Sequence, residues 1–220
     1  MTTSIPDNRP PTPNLPLVDL AAGGLGTGNA LLARDFWDQC LAVGEVAPEF
    51  ILPNGAGERI SLEQLLDAGP VVVVFEHGQS CAAWAEERRI LEESAAALHA
   101  TGASLVVISA DCSVAASAQN GAGHGWHEIL WDCDGSVAHL FGLLCRVSGR
   151  CVEALRNAGI DVPVGNGHPE AVLNARAHYI LDGGATVRHA AIDLAHDRPL
   201  DIAAIVGVLD RLINPQTASD

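Results

Sequence analysis

The sequence predicts an α/β protein with a mixed central sheet between layers of helices. Two continuous apolar runs, VVVVFE at residues 71–76 and SLVVISA at residues 104–110, are typical of strands that are covered on both faces. The segment between them, AAWAEERRILEESAAALHATG, has the spacing of a long amphipathic helix that ends at Gly102. A hairpin and a last helix follow later in the chain, so parallel and antiparallel strands are expected in one sheet.

The chain before the first buried strand divides into several short parts. Residues 1–28 are rich in Pro, Thr, Asn and Gly, a composition that buries little, and are expected to form a flexible N-terminal arm. Residues 29–42 carry apolar side chains at helical spacing and predict an accessory helix, which Gly44 stops. EFILP predicts a short strand, and SLEQLL predicts a helix with Ser61 as N-cap and Gln64 completing a capping box.

The second half of the chain continues the alternation of strands and helices. HEILWD predicts a short strand and SVAHLFGLL a helix. HYILD and ATVRHAAID, joined through Gly183 and Gly184, predict an antiparallel hairpin. DIAAIVGVLDRLI predicts the last helix, and residues 213–220 are left as a tail.

The charge balance excludes several classes of partner and of enzyme. The chain of 220 residues has 27 acidic and 12 basic residues and a net charge of −15, which repels phosphate backbones and anionic lipid. All of the basic residues are arginine, so the lysine that Schiff-base enzymes and P-loops use is missing. Because no long apolar segment or signal peptide is recognisable, we expect a cytoplasmic protein without nucleic-acid or membrane partners.

The six cysteines predict few cross-links. They show no CxxC spacing and lie in a chain that is too long to need disulfide staples, so most are expected to be small buried hydrophobes. Cys145 and Cys151, in LLCRVSGRCVEAL, could resolve an oxidised thiol, but their positions around a turn at residues 148–149 favour packing between helices. Cys133, in WDCDG, is expected to be incidental.

Several segments resemble one family in the same order. VGEVAPEFILPNGAGERISLEQLLDAGPVVVVFE resembles the opening of AhpC/TSA peroxiredoxin-like proteins, and ASLVVISAD and ILWDCDGSVAHLFGL continue the similarity. NAGIDVPVGNG and ARAHYILDGGATVRHAAID resemble the second half of the family. The resemblance implies a thioredoxin-like domain, a three-layer α/β fold, over residues 43–212, with the arm and the accessory helix outside it.

The loop after the first buried strand departs from the family pattern. In peroxiredoxins this loop has the form FYPxxxTxxC, and in a related thioredoxin-like branch it has the form FYRGxWCPYC. Aligned with these patterns, Phe75 matches the Phe, Cys81 matches the Thr or the first Cys, and Trp84 replaces the peroxidatic or second Cys. His77 stands in place of Pro or Arg, and Ala82 replaces the Pro of CPYC.

Two charged residues keep the family pattern. Glu87 matches the acidic residue that follows the motif, and Arg176, in RAHYILD, matches an arginine that stabilises the peroxidatic thiolate in the family. The resemblance therefore implies a site that combines Cys81 with Arg176, and a substrate pocket that includes Phe75, Trp84 and Glu87.

Helix geometry gives Cys81 a possible role that does not depend on the family. With Ser80 as N-cap, Cys81 would be the first residue of a helix, where free N–H groups and the helix dipole favour an anion and lower the pKa of the thiol. A buried, unreactive thiol is the competing interpretation, and the sequence leaves both open. Trp84 is better explained by packing than by chemistry, although it could line a substrate pocket.

Two histidines extend the candidate site. If the thioredoxin arrangement holds, His77 and His178 converge on Cys81, and either is a candidate proton carrier, although a polar loop or sheet-edge position is the simpler explanation of each. The same three residues offer one sulfur and two nitrogens, a set that suits copper or zinc, so a Cys/His metal-binding module is an alternative.

The sequence therefore predicts a peroxiredoxin-like thiol oxidoreductase, an antioxidant with a single active-site thiol, Cys81, and weak peroxidase activity. Its expected partners are a small-molecule peroxide or disulfide as substrate, an external thiol as reductant and a second copy of the chain in a homodimer. No cofactor is expected. The alternative from another class is a non-catalytic redoxin scaffold.

Overall fold

The structure is a computed structural model that describes residues 15–18, 34–76, 82–110, 127–157, 171–194 and 200–213. The strands are β1 (Leu17–Val18), β2 (Ile51–Pro53), β3 (Arg59–Ser61), β4 (Val71–Glu76), β5 (Ser104–Ser109), β6 (Glu128–Trp131), β7 (Leu144–Val147), β8 (Ala171–Asn174), β9 (Arg176–Leu181) and β10 (Val187–Asp193). The helices are α1 (Arg34–Gln39), α2 (Leu62–Leu66), α3 (Ala82–Ala100), α4 (Ser136–Leu140), α5 (Gly149–Asn157) and α6 (Ile202–Ile213).

The central sheet has five strands in the order β10-β9-β4-β5-β6. β4, β5 and β6 are parallel, whereas β9 is antiparallel to both β4 and β10. Every residue of β4 and β9 is buried, because both strands are interior to the sheet and both of its faces are covered. The predicted mixed sheet and the hairpin of β9 and β10 are both confirmed.

Two smaller sheets lie outside the central one. β2 and β3 form an antiparallel pair that leads into α2, where Ser61 and Gln64 form the predicted capping box. β1, β7 and β8 form a three-stranded sheet, in which β1 is parallel and β8 antiparallel to β7. Cys145 therefore lies in a strand and not in a helix, which corrects the expectation that it packs between helices.

Different elements cover the two faces of the central sheet. α3 packs against α6, and α6 packs against β9 and β10 on one face. On the other face the rings of Phe75 and Tyr179 contact that of Phe141, which lies at the end of α4; the Phe75 and Phe141 ring centroids are 4.9 Å apart. Phe50 extends this aromatic cluster, since its ring centroid lies 6.5 Å from that of Phe141.

The segments before β2 are attached to this aromatic face. Gln39, the last residue of α1, donates through Nε2 to the carbonyls of Gly142 and Leu144, at 2.8 Å each. The structure thus places α1 at residues 34–39, within the accessory helix expected at residues 29–42. Residues 15–18 belong to the segment expected to be a flexible arm, yet Leu15 and Val18 are buried and β1 pairs with β7. None of the described helices is long and apolar enough to cross a membrane.

Candidate active site

The predicted site residues lie partly inside the described structure. Cys81 and His77 lie outside the described residues, and Cys81 directly precedes Ala82, the first residue of α3. Trp84 is the third residue of α3, and its side chain is not among those described. Glu87, in the second turn of α3, lies against Arg176 and His178 of β9.

A buried network joins these last three side chains to a fourth. Arg176 Nη1 donates to Glu87 Oε2 at 3.2 Å, and Arg176 Nη2 donates to Asp193 Oδ2. The second oxygen of Glu87, Oε1, is hydrogen-bonded to His178 Nε2. One guanidinium is therefore bound by two carboxylates, and one of these carboxylates also holds an imidazole.

The network follows from strand register. Arg176 and His178 are two residues apart on β9, so they project from the same face of the sheet. Asp193 is directly opposite Arg176 in the antiparallel pair of β9 and β10, which places its carboxylate on that face as well. Glu87 approaches from α3, the helix above this face. The sheet and the helix thus fix the four side chains from three different elements.

Water is almost excluded from the network. The exposed fractions of Glu87, Arg176, His178 and Asp193 are 2%, 5%, 5% and 7%. Buried charges are stable only when they are paired and hydrogen-bonded, and the observed contacts satisfy this condition. At this depth each interaction is much less screened than a surface ion pair.

Glu76 adds a further carboxyl group to the same region. It ends β4 and is 1% exposed. The register pairs Phe75 with Ala177, so its continuation by one residue brings Glu76 opposite Arg176. The face around Arg176 therefore carries three carboxyl groups, one guanidinium and one imidazole.

Phe75 differs from the expectation that it lines the pocket. It is completely buried, and its partner in the register, Ala177, alternates with Arg176 and His178 along β9. Phe75 consequently points away from the charged network into the aromatic cluster, with its ring 6.2 Å from that of Tyr179. Strand alternation decides this, since neighbouring residues of a strand face opposite sides.

Asp193 and Glu76 were not predicted from the sequence as site residues. Each is an acidic residue that ends an apolar strand, in VVVVFE and in RHAAID. A carboxylate at the end of a fully buried strand needs a partner, and this signal could have linked both residues to Arg176. What the sequence could not supply is the register that brings Asp193 opposite Arg176.

His189 lies beside the network on β10. Its directly paired residue is Ile180, on the same face of the sheet as His178. Burial lowers the pKa of His189 below its usual range, and the nearby His178 lowers it further, while Asp201 acts in the opposite direction. The network thus has a second imidazole in electrostatic contact with it.

The described cysteines fall into two groups. Cys40 and Cys145 are buried free thiols, as expected for small hydrophobic residues. Cys133 is part of a disulfide, which corrects the expectation that it is incidental. Among the described residues no group of three or more His, Cys, Asp and Glu side chains is arranged to hold a metal ion. His178, which the metal alternative requires, uses Nε2 to bind Glu87.

The family is decided by a sequence comparison. The model of the AhpC/TSA family matches residues 43–190, which is more than half of the chain. The chain belongs to the AhpC/TSA family. A search of curated proteins found no match.

Solved structures show the thioredoxin-like fold of this AhpC/TSA protein. It is similar to the peroxidoxin BcpB of Mycobacterium tuberculosis, with 20% identity, a TM-score of 0.55 and coverage of 78% of this chain and 98% of that chain. It is also similar to the reduced 2-Cys peroxiredoxin of Plasmodium vivax, with 17% identity, a TM-score of 0.57 and coverage of 82% and 86%. For a cysteine-to-serine mutant of the peroxiredoxin 6 of Arenicola marina the identity is 16%, the TM-score 0.58 and the coverage 82% and 76%.

Proposed function

We propose that this AhpC/TSA protein is a thiol oxidoreductase in which Cys81 is the single reactive thiol and peroxide turnover is weak. One observation carries the proposal: Arg176, His178 and Glu87 form a buried network at the carboxyl end of β4. Cys81 lies five residues after Glu76, the end of this strand, and one residue before α3. In the sequence, Cys81 therefore lies between β4, which neighbours β9 in the sheet, and α3, which carries Glu87.

The reaction with a peroxide starts from the Cys81 thiolate. The sulfur attacks one peroxide oxygen, so that an S–O bond forms, the O–O bond breaks and the other oxygen leaves as an alcohol or water after taking a proton. Sulfur is oxidised to a sulfenic acid and the peroxide is reduced. His178, held by Glu87, is the group proposed to deliver the proton, because an imidazole both accepts and donates protons.

An external thiol completes the cycle. Its thiolate attacks the sulfenic sulfur and releases water, which leaves a mixed disulfide, and a second thiol then displaces Cys81. A small-molecule disulfide is the alternative substrate, because a thiolate also attacks a disulfide sulfur. We expect this chemistry to serve as an antioxidant activity in the cytoplasm, with the protein acting as a homodimer.

Weak peroxide turnover is expected from the position of the thiol. Aligned with the family pattern, Trp84 falls on the peroxidatic or second Cys, and Cys81 is three residues earlier in the chain. The attacking sulfur would therefore lie about one helical turn from the position that the family uses. A displacement of this size lowers the rate even when the thiol is ionised, because near-attack geometry is lost.

Alkylation across pH tests the proposal. Purified protein is treated with iodoacetamide at several pH values, and the labelling of Cys81 is read from peptide masses. An ordinary thiol is labelled mainly above about pH 8. If Cys81 is a stabilised thiolate, its labelling is expected to be complete at a lower pH. Labelling of Cys81 only above about pH 8 would overturn the proposal. Consumption of hydrogen peroxide with dithiothreitol as reductant is expected to be slow in the wild type and absent in Cys81→Ser.

A non-catalytic scaffold is the second candidate. The observation that favours it is that both Nη atoms of Arg176 are bound by carboxylates, which reduces the positive charge that Arg176 offers to a thiolate. This candidate predicts that Cys81 reacts like a free thiol and that neither a peroxide nor a small disulfide is consumed. The alkylation experiment therefore separates the two functions.

A further inference from the structure

We propose that Asp193 is a positioning residue: because it binds Arg176, one oxygen of Glu87 binds Arg176 and the other stays available for His178. Glu87 thereby selects the ring nitrogen through which His178 exchanges its proton. The inference rests on the proposed function for its catalytic meaning, because it assigns roles within the same site. It adds two residues to that site, Asp193 as the anchor of Arg176 and Glu87 as the group that orients His178.

The geometry of the guanidinium carries the first step. Arginine commonly binds one carboxylate with two parallel N–H groups, so that both carboxylate oxygens are occupied. Here Asp193 accepts from Nη2 of Arg176, and Glu87 accepts from Nη1 through Oε2 alone. Because Asp193 takes one side of the guanidinium, Glu87 keeps Oε1 for another donor. His178 Nε2 is the atom that is hydrogen-bonded to Oε1.

The chemistry of the carboxylate carries the second step. An ionised carboxylate only accepts hydrogen bonds, so the contact with Glu87 Oε1 requires a proton on Nε2 of His178. In the neutral imidazole the other nitrogen, Nδ1, then has the free lone pair and is the basic atom. A carboxylate that fixes an imidazole in this way determines its tautomer and stabilises the imidazolium that forms during proton transfer. His178 thus exchanges its proton through Nδ1.

The other charged groups around His178 do not replace Glu87 in this role. Arg176, on the same strand, is a donor only, and His189 on β10 acts on His178 through its charge. Glu76 ends β4 opposite Arg176, and Asp201, just before α6, interacts electrostatically with His189. In the described structure Glu87 is the carboxylate that is hydrogen-bonded to the ring of His178.

Histidine-ring NMR tests the inference without any enzymatic readout. Full-length protein labelled with ¹⁵N-histidine is studied in a Cys81→Ser background, and His178→Gln identifies the signals of His178. The expected wild-type pattern is a protonated Nε2 and an unprotonated Nδ1. Asp193→Asn and Glu87→Gln are expected to change this pattern, whereas the exposed controls Asp210→Asn and Glu92→Gln are expected to leave it unchanged. An unaltered His178 pattern in Asp193→Asn would overturn the inference.

Two further variants keep the test decisive. Asp193→Glu retains a carboxylate and is expected to restore the wild-type ring pattern, which a purely structural role of Asp193 would not require. If Asp193→Asn does not fold, Arg176→Lys is used, because a single ammonium cannot offer two separate N–H groups in the same plane. An unchanged pattern of His178 in folded Arg176→Lys would likewise contradict the inference.

The alkylation of Cys81 keeps this inference distinguishable from the proposed function. The rate at which the wild type, which retains Cys81, is alkylated at neutral pH is measured separately, so that the reactivity of the thiol is known independently of the ring pattern. If Cys81 is unreactive in the wild type, the proposed function fails while the ring pattern still judges the inference. If Cys81 is reactive and the ring pattern does not respond to Asp193, the inference alone fails.

Discussion

Glu87 binds Arg176 and His178 at once, through different oxygens of one carboxylate. Arg176 is 89 residues from Glu87 in the sequence, and the contact joins α3 to an interior strand of the central sheet. A helix is usually attached to a sheet by apolar packing, whereas this one is also attached through a buried ion pair. The attachment lies in the second turn of α3, six residues after the candidate thiol in the sequence.

The buried pair predicts an unusually large effect of a conservative substitution. Glu87→Gln keeps the shape of the side chain but removes the charge that balances Arg176. We expect a loss of about 3 kcal/mol in the free energy of unfolding, the lower end for breaking a buried pair, because Asp193 still binds Arg176. Urea unfolding at neutral pH measures it. Glu92→Gln, which removes an exposed pair with Arg88 on the same helix, is the control and should cost at most about 1 kcal/mol.

Two glycines with almost the same backbone conformation predict different costs. Gly142 has φ +71° and Gly135 has φ +70°, so alanine is strained at both. A Cβ at Gly142 would lie 2.1 Å from the carbonyl oxygen of Gln39, whereas at Gly135 it would meet only the flexible side chain of Leu144, at 3.4 Å. We expect Gly142→Ala to cost at least about 2 kcal/mol more than Gly135→Ala in urea unfolding, because the backbone of α1 must move. Equal losses would contradict this explanation.

His189 predicts that stability falls on mild acidification. Its pKa is lowered in the folded protein, chiefly by burial, so the unfolded chain binds the proton first as the pH decreases. The contribution of His189 is complete above its unfolded pKa, about 6.5, and is lost as the pH falls through the lower pKa of the folded state. As the pH falls from about 8 to about 5, the free energy of unfolding of the wild type should therefore decrease relative to that of His189→Gln. A difference that is independent of pH would contradict the assignment.

The described cysteines predict a distinct labelling pattern in native protein. Burial raises the pKa of Cys40 to about 12, and its thiol donates to the carbonyls of Phe36 and Gly142. Cys145 is completely buried, and Cys133 is held in a disulfide. Iodoacetamide at about pH 8 should therefore leave these three cysteines unlabelled, and a reductant should expose Cys133 first. Labelling of Cys133 in unreduced native protein would contradict the disulfide, and peptide masses decide the result.

The local elements of the fold were predictable from the sequence. The apolar runs of β4 and β5, the capping box at Ser61 and the hairpin of β9 and β10 follow from patterns within a few residues of one another, which act before distant contacts form. The end of α4 was less predictable. LFGLL continues an apolar helical pattern, but Gly142 ends it, and the next residues pair with β8.

The chemistry of the site could be predicted only in part. Cys81, Glu87 and Arg176 were identified as site residues because the loop after β4 and the strand β9 resemble the motifs of the family. The resemblance did not identify Asp193, because no local pattern pairs an acidic residue at the end of one strand with an arginine at the start of another. It also placed Phe75 in the pocket, although strand alternation turns this ring to the opposite face.

The sequence by itself determined the main strands and helices, among them β4, α3, β5 and the hairpin of β9 and β10, because hydrophobic period, caps and turn residues act over short distances. Only the tertiary structure decided which of the buried charged side chains pair with one another. The register of β9 against β10 places Asp193 opposite Arg176, and the packing of α3 on the same face brings Glu87 to both Arg176 and His178. Each buried charge must find its partner after the layers have assembled, since burial is what makes an unpaired charge costly.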